Sequence, residues 1–161
     1  VAVINAHQQF GFGNIAGNEA DPAINPDATA VGSGNEAAAV ASTAVGWSNL
    51  ASGERSSALG FDNTANQDNA SALGHQNSAT GQASTAVGNR NFASAVDSSA
   101  VGRDNIASGE RSSAFGFDNI ADGANSTALG SLSTTDGDFS LAIGNSTDAS
   151  TGARVEAGAT N

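Results

Sequence analysis

The 161-residue chain has no cysteine, no methionine and no tyrosine, and its five basic residues include no lysine. Without cysteine there is neither a disulfide framework nor a thiolate metal site. Sixteen acidic residues against five arginines leave a net charge of −11. Coulomb repulsion on that scale argues against nucleic acid or an anionic membrane surface as a partner. No apolar run approaches the roughly 18 residues of a membrane-spanning helix, and no secretory-signal pattern opens the chain. Because Val1 falls in mid-pattern, the chain reads as a piece of something longer. Large apolar side chains are scarce too. The 39% apolar content includes 33 alanines, and Leu, Ile, Val and Phe together number only 28. Such a composition borders on the disordered class, so a folded chain must bury surface by a route other than an ordinary globular core.

That route is a repeat. Glycine recurs every 14 residues at Gly32, Gly46, Gly60, Gly74, Gly88, Gly102, Gly116, Gly130, Gly144 and Gly158. Alanine stands two residues before nine of them, from Ala30 to Ala142. Between alanine and glycine sits one larger apolar residue: Val31, Val45, Leu59, Leu73, Val87, Val101, Phe115, Leu129 and Ile143. Three residues after the glycine comes asparagine, from Asn35 to Asn119, and two further on alanine, from Ala37 to Ala121. Residues 10–16 match 115–121, which makes Gly11 an earlier repeat glycine. Gly11 and Gly32 lie one period plus seven residues apart. The surplus falls within residues 18–27, which hold both prolines of the chain, and reads as a loop bulging from the stack. The last unit, 154–158, keeps its glycine but has Glu156 in the alanine place. Residues 51–65 and 107–121 are nearly identical and lie four periods apart, as a duplicated four-repeat block would.

Fourteen residues are too few for a helical-pair repeat, which takes over 30. They suffice for two extended strands of about five residues joined by tight turns, with successive coils stacked about 4.8 Å apart in parallel pairing. The expectation is an all-β protein: one parallel β-solenoid domain over residues 1–161, with about 11 coils. Period-two alternation puts the Ser, Ala and Gly of Ser-x-Ala-φ-Gly on one face and the apolar φ on the other. The small residues, with the Asn, Ala and Gly of the second strand, are expected inside, where two sheets lie close together. The converse, φ inside and Ala outside, is the weaker alternative.

An alanine interior contributes little, about 0.8 kcal/mol per buried methyl, whereas ordering each residue costs about 1–2 kcal/mol. Covering the nine φ side chains adds about 1.5–3 kcal/mol each. Left bare, they form one apolar stripe along the whole stack, larger than soluble monomers tolerate. Self-association is therefore expected through Val31, Val45, Leu59, Leu73, Val87, Val101, Phe115, Leu129 and Ile143.

The run Asn125-Ser126-Thr127-Ala128-Leu129-Gly130, with weaker copies such as Asn69-Ala70-Ser71-Ala72-Leu73-Gly74, resembles the head repeat of the YadA-like trimeric autotransporter adhesins of Gram-negative bacteria. The resemblance covers essentially the whole chain. It implies a left-handed parallel β-roll, a homotrimer with the φ ladder at its centre, and a head that attaches bacteria to host matrix proteins or cell receptors. It also implies attachment to the outer membrane through a stalk and anchor not recognisable in this sequence. The seven-residue insertion, and the loss of Asn before Ser in most units, depart from the family pattern.

Catalysis finds no support: His7 and His75 lie about five coils apart, and no Ser/His/Asp or His/His/carboxylate cluster can be assembled. No cofactor is implied. The Asp-Asn pairs at Asp62, Asp104 and Asp118 lack the glycine-rich nonapeptide of calcium-binding β-rolls and read as turns, so no metal is expected. The ten glycines of the ladder are expected at the coil turns. Trp47 and Phe61 share one slot a period apart and should touch, either as a recognition patch or as a seam between chains. Stacking also sets Arg90 against Asp104 and Asp97 against Arg111. Glu19, Asp21, Pro22, Ile24 and Pro26 of the insertion are candidates for specific recognition, since loops vary without disturbing a scaffold. The reading from another class is an ice-binding solenoid, with its row running from Thr29 to Thr127.

Overall fold

The alternation within each unit becomes strands, and the residues between become reversals. The computed structural model describes residues 8–16, 27–145 and 154–155, and among them there is no helix. Ten five-residue strands begin with Gln8–Phe12 and Thr29–Ser33 and then recur every 14 residues to Leu141–Asn145. Ten two-residue strands begin with Ile15–Ala16 and Glu36–Ala37, recur to Thr134–Thr135 and end with Arg154–Val155. Each set forms a parallel ten-stranded sheet in which every strand pairs with its equivalent one coil away. The register is that of the repeat: Ser57 lies opposite Ser71, Ala58 opposite Ala72, Leu59 opposite Leu73, Gly60 opposite Gly74 and Phe61 opposite His75. About eight complete coils separate Thr29 from Leu141.

The second strand is shorter than expected because the chain reverses soon after it. Past Ala65, the amide of Ala70 donates to Gln67 at 3.1 Å, and Asn69 takes a left-handed φ of 60°. The opposite reversal places Asp62, Asp104 and Asp118 at φ of 53–59°, so the Asp-Asn pairs are turns, as read.

The insertion leaves the ladders intact. Gln8–Phe12 pairs in register with Thr29–Ser33, and Ile15–Ala16 with Glu36–Ala37. The extra residues thus enter between strands. Glu19, Asp21, Pro22, Ile24 and Pro26 themselves lie outside the described residues. A second surplus was not legible in the repeat: Arg154–Val155 pairs with Thr134–Thr135, six residues beyond the regular offset. Arg154 and Val155 therefore belong to the short-strand sheet, and the rest of the last unit, with Gly158, lies outside the described residues.

The core is two alanine columns. Ala30 through Ala128, one per coil in the long strands, and Ala37 through Ala121 in the short strands are fully buried. The largest fully buried side chains are asparagines, Asn35, Asn49, Asn63, Asn77, Asn91, Asn105 and Asn119. These stack as a hydrogen-bonded ladder. The amide of Asn63 donates to Leu59 O at 3.0 Å, Gly74 O at 2.8 Å and Asn49 Oδ1 at 2.9 Å. Its own Oδ1 accepts from the backbone and side-chain nitrogens of Asn77, both at 3.0 Å. A buried amide is costly unless every bond is made, and here each coil completes its neighbour.

The glycine of the repeat does not share that interior. Gly60, Gly74 and Gly116 are exposed, and the ladder from Gly32 to Gly144 occupies the fourth position of the long strands rather than the turn. Left-handed φ at the turn falls two residues later, on Ser48, Asp62, Gln76, Arg90, Asp104, Asp118 and Leu132. Gly60 is required for another reason. Its φ is 122°, and a Cβ there would stand 2.0 Å from Gly74 O of the next coil. Simple alternation fails at this residue because the strand bends there to begin its reversal.

Candidate functional site

Side chains at positions one and three of each long strand leave the same face of its sheet, and position five follows the bend at the glycine. Position one is a column of hydroxyls from Thr29 to Thr127, ending in Leu141. Position three is the φ column. Val31, Val45, Leu59, Leu73, Val87, Val101 and Phe115 are half-buried by their own neighbours, while Leu129 and Ile143 are more open. The same column begins one coil earlier with Phe10, which lies opposite Val31 and was not counted in the ladder. Position five carries Phe12, Ser33, Trp47, Phe61, His75, Asn89, Arg103 and Phe117 in order.

That fifth column is a run of ring contacts. Trp47 and Phe61 meet edge to face with centroids 5.3 Å apart, so the expected contact is made. Phe61 then stacks on His75 at 5.0 Å with the rings nearly parallel. The Nδ1 of His75 lies 3.0 Å from the Nδ2 of Asn89. Further along, the Arg103 guanidinium sits 4.2 Å above the Phe117 ring. Trp47 remains 59% exposed in the isolated chain, an unusual state for an indole.

The charges lie at both turn edges, Arg90 and Asp104 beside this column and Glu54, Arg55, Glu110 and Arg111 at the opposite reversal. Arg90 pairs with Asp104 at 2.6 Å as the stacking predicts, and Arg103 approaches the same carboxylate at 3.6 Å. The other expected pair is not made. Arg111 turns to Glu110 at 2.9 Å and to Asn125 at 2.8 Å, leaving Asp97 aside. Arg55 repeats that arrangement four coils earlier with Glu54 and Asn69, as the near-identity of the two blocks requires. Exposed pairs of this kind contribute about 0–1 kcal/mol each.

On the opposite sheet, Phe92 and Ile106 project outward from adjacent short strands and stay exposed. Sequence reading passed over them because the repeat assigns that position to no fixed residue type. Among the described residues, no group of three metal-ligating side chains comes together. His75 has an aromatic ring and an amide as its contacts.

No curated protein matches the chain. A family model described as the YadA head domain repeat matches it at residues 23–49, 51–77, 68–91, 79–105, 93–119, 107–133 and 121–147. These matches run across both sheets and nearly all the uninterrupted coils, and the chain therefore belongs to the YadA head domain family.

Proposed function

We propose that the chain is the head of a bacterial surface adhesin, a left-handed parallel β-roll that assembles as a homotrimer and binds host matrix proteins or cell receptors without catalysis. Family membership supports the adhesin role. The single observation that carries self-association is the outward φ column, a continuous apolar stripe that a monomer would leave in water. In the trimer the column from Val31 to Ile143 lines the axis, with Phe10 extending it. The head is displayed at the cell surface by an outer-membrane anchor belonging to the full-length protein. Three equivalent shafts let individually weak contacts sum to useful avidity.

Replacing Val87 and Val101 together with Asp places two rings of carboxylates about that axis, at several kcal/mol per uncompensated charge. Sedimentation velocity is expected to show trimer for the parent chain and monomeric or unfolded chain for the variant. A folded parent monomer at micromolar concentration overturns the assignment. Binding of the intact assembly to a panel of matrix proteins tests the adhesin role itself.

Glu19, Asp21, Pro22, Ile24 and Pro26 of the insertion are proposed as the most specific recognition element, with Trp47 and Phe61 the second candidate. Deleting seven residues within 18–27 restores the period and is expected to leave the melting temperature nearly unchanged, because the strands on either side already pair in register. Adherence equal to that of the parent removes the recognition role from the loop.

A further inference from the structure

We infer that the outer face of the short-strand sheet, along Phe92, Ile106 and Ile120, is a contact surface for a second copy of this chain running antiparallel, with a two-fold axis at Ile106. The inference goes beyond the adhesin reading, and because it uses the sheet opposite the φ column it holds whether or not that column self-associates. Residues 92, 106 and 120 stand one coil apart in register, each followed by a fully buried alanine, and so point away from the core. Phe92 and Ile106 are exposed and Ile120 is half-buried. Apolar residues recur in this column at Ile15 and Leu50, but singly, with Glu36 between them and Thr64 beyond. Only the three coils from Phe92 to Ile120 make an apolar strip.

Charge order along the strip selects the partner. A cleft joins Phe92 and Ile106 to the turn residues Arg90, Asp104 and Asp118, so the apolar and the charged column share one surface. A two-fold axis lying along the strand direction keeps each column opposite itself and reverses the order of coils. With that axis at Ile106, Arg90 meets the second copy's Asp118, Phe92 meets its Ile120, and Ile106 meets its own equivalent. On the other flank the hydroxyl of Ser94 meets the carboxylate of the second copy's Asp122. Other registers fit less well. One coil toward the N-terminus sets Arg90 on Arg90 and Asp118 on Asp62, and one coil the other way sets Asp118 on Asp118. Half a coil toward the N-terminus leaves Ile120 on Ser78. The cost of the chosen register is Asp104 near its own equivalent, but Arg90 and Arg103 of its own chain stand 2.6 and 3.6 Å from that carboxylate. The Arg90–Asp104 pair is exposed and weak, and the five guanidinium donors let Arg90 reach across while keeping Asp104. Asp118 is in no ion pair among the described residues. Two copies each carrying −11 repel unless arginine lies at their contact, and two of the five arginines stand here. Three coils span only about 15 Å, so one pair of chains buries well under the ~1,000 Å² of a standalone interface. The contact is weak singly and gains strength where several chains are held together.

The test is NMR of the intact protein at rising concentration, where amide shifts at 90–94, 104–108 and 118–122 are expected to move together. The chain has no cysteine, so Ser78→Cys carries a nitroxide label at one place. Labelled chain and isotope-labelled parent chain are folded separately and then mixed. Broadening of the parent's amides at 133–135 is expected, because Ser78 and Thr134 lie two coils to either side of Ile106. Broadening centred on 77–79 means parallel chains, and broadening centred on 119–121 means the half-coil register; either overturns the inference. Arg90→Asp is expected to weaken association at least about tenfold. Adding Asp118→Arg to it is expected to restore association, since each facing pair is then again opposite in sign. Phe92→Ser is expected to weaken association by as much without lowering the melting temperature, since serine already stands at the equivalent position 78. A double variant that folds but stays dissociated overturns the pairing. Amide shifts that do not move with concentration overturn it too, in favour of a partner other than this chain.

Discussion

The side-chain amide of Asn63 donates to the carbonyl oxygen of Gly74 at 2.8 Å, and that oxygen stands where a Cβ on Gly60 would have to go. One atom thus explains two columns of the repeat. The carbonyl can turn toward the asparagine because the residue stacked against it has no side chain, and the asparagine in turn holds the carbonyl in that place. The same relation recurs between Asn49 and Gly60 and between Asn77 and Gly88.

Gly60→Ala is therefore expected to destabilise the head by about 3 kcal/mol or more. Strain at φ 122° adds to a contact of 2.0 Å with backbone that cannot move aside without breaking the ladder. Gly34→Ala is the control. Its φ is 64°, a region alanine already occupies at Ala41 and Ala83, and its Cβ would meet Ser48 Oγ only at 3.6 Å. A loss of about 1 kcal/mol is expected there. Urea unfolding of the two variants checks the difference, and equal losses would mean that the close approach to Gly74 carries no energy.

Asn77→Ala is expected to cost about 2–4 kcal/mol, because the side-chain and backbone donors of Asn91 lose their acceptor in a dry interior. Asn77→Asp adds a pH signature. An ionised carboxylate at position 77 would face the carbonyls of Leu73 and Gly88, which now accept from the amide. Burial and those dipoles raise the folded-state pKa above the unfolded value of about 3.9. The folded variant then binds the proton more tightly than the unfolded one, so its stability should be greatest below about pH 4 and fall as pH rises. Melting temperatures from acid to neutral pH check the sign. A variant more stable at pH 7 than at pH 4 would place residue 77 in contact with solvent.

The architecture was legible because the period is long-range information: Ala58, Leu59 and Gly60 keep their relation through every coil, and only a stack needs that. Alternation correctly put Ala58 and Ser56 inside and Leu59 outside. It failed at Gly60, where backbone bending breaks the period of two, and a glycine leaves no side chain by which to notice. Asn63 was rightly placed inside, but as one more small residue. That it is the largest fully buried type follows only from the hydrogen bonds it makes one coil away. The surplus before Arg154 was hidden because Gly158 happens to preserve the 14-residue spacing from Gly144 while the strand pairing does not. The exposed pair Phe92 and Ile106 was hidden because the two belong to adjacent coils and share no motif, and only stacking brings them together.

Faces can be checked by overpacking. Ala100 is completely buried between the two sheets, whereas its neighbour Val101 points outward and is half-buried. Ala100→Leu forces three extra carbons into an interior that the alanine columns set at its narrowest. A loss at the upper end of the usual 1–3 kcal/mol for overpacking, or outright failure to fold, is expected. Val101→Leu follows Leu59, Leu73 and Leu129 of the same column and is expected to change stability by less than about 1 kcal/mol. Similar melting temperatures for the two variants would reverse the assignment of inside and outside.

The last column to test is the serine one. Ser42 and Ser98 each donate their hydroxyl to a carbonyl three residues back, Ala39 and Ala95, both at 2.7 Å. Ser56 and Ser112 are as deeply buried, yet their Oγ atoms have no hydrogen-bond partner. They hold equivalent places in the two near-identical blocks, so the same local geometry has been made twice. A buried hydroxyl without a partner loses its hydration and gains nothing in return, whereas one that donates to a carbonyl recovers the difference. Ala70 already fills this position in the coil after Ser56, fully buried and in register, so alanine fits the column. Ser56→Ala and Ser112→Ala should therefore be neutral or stabilise by up to about 1 kcal/mol each. The two sites lie four coils apart, and their effects should add. Ser98→Ala, by contrast, should cost about 0.5–1.5 kcal/mol. Urea midpoints for the three single variants and the Ser56→Ala/Ser112→Ala double variant decide the point. A loss at Ser56 equal to that at Ser98 would show that its hydroxyl is bonded in solution after all.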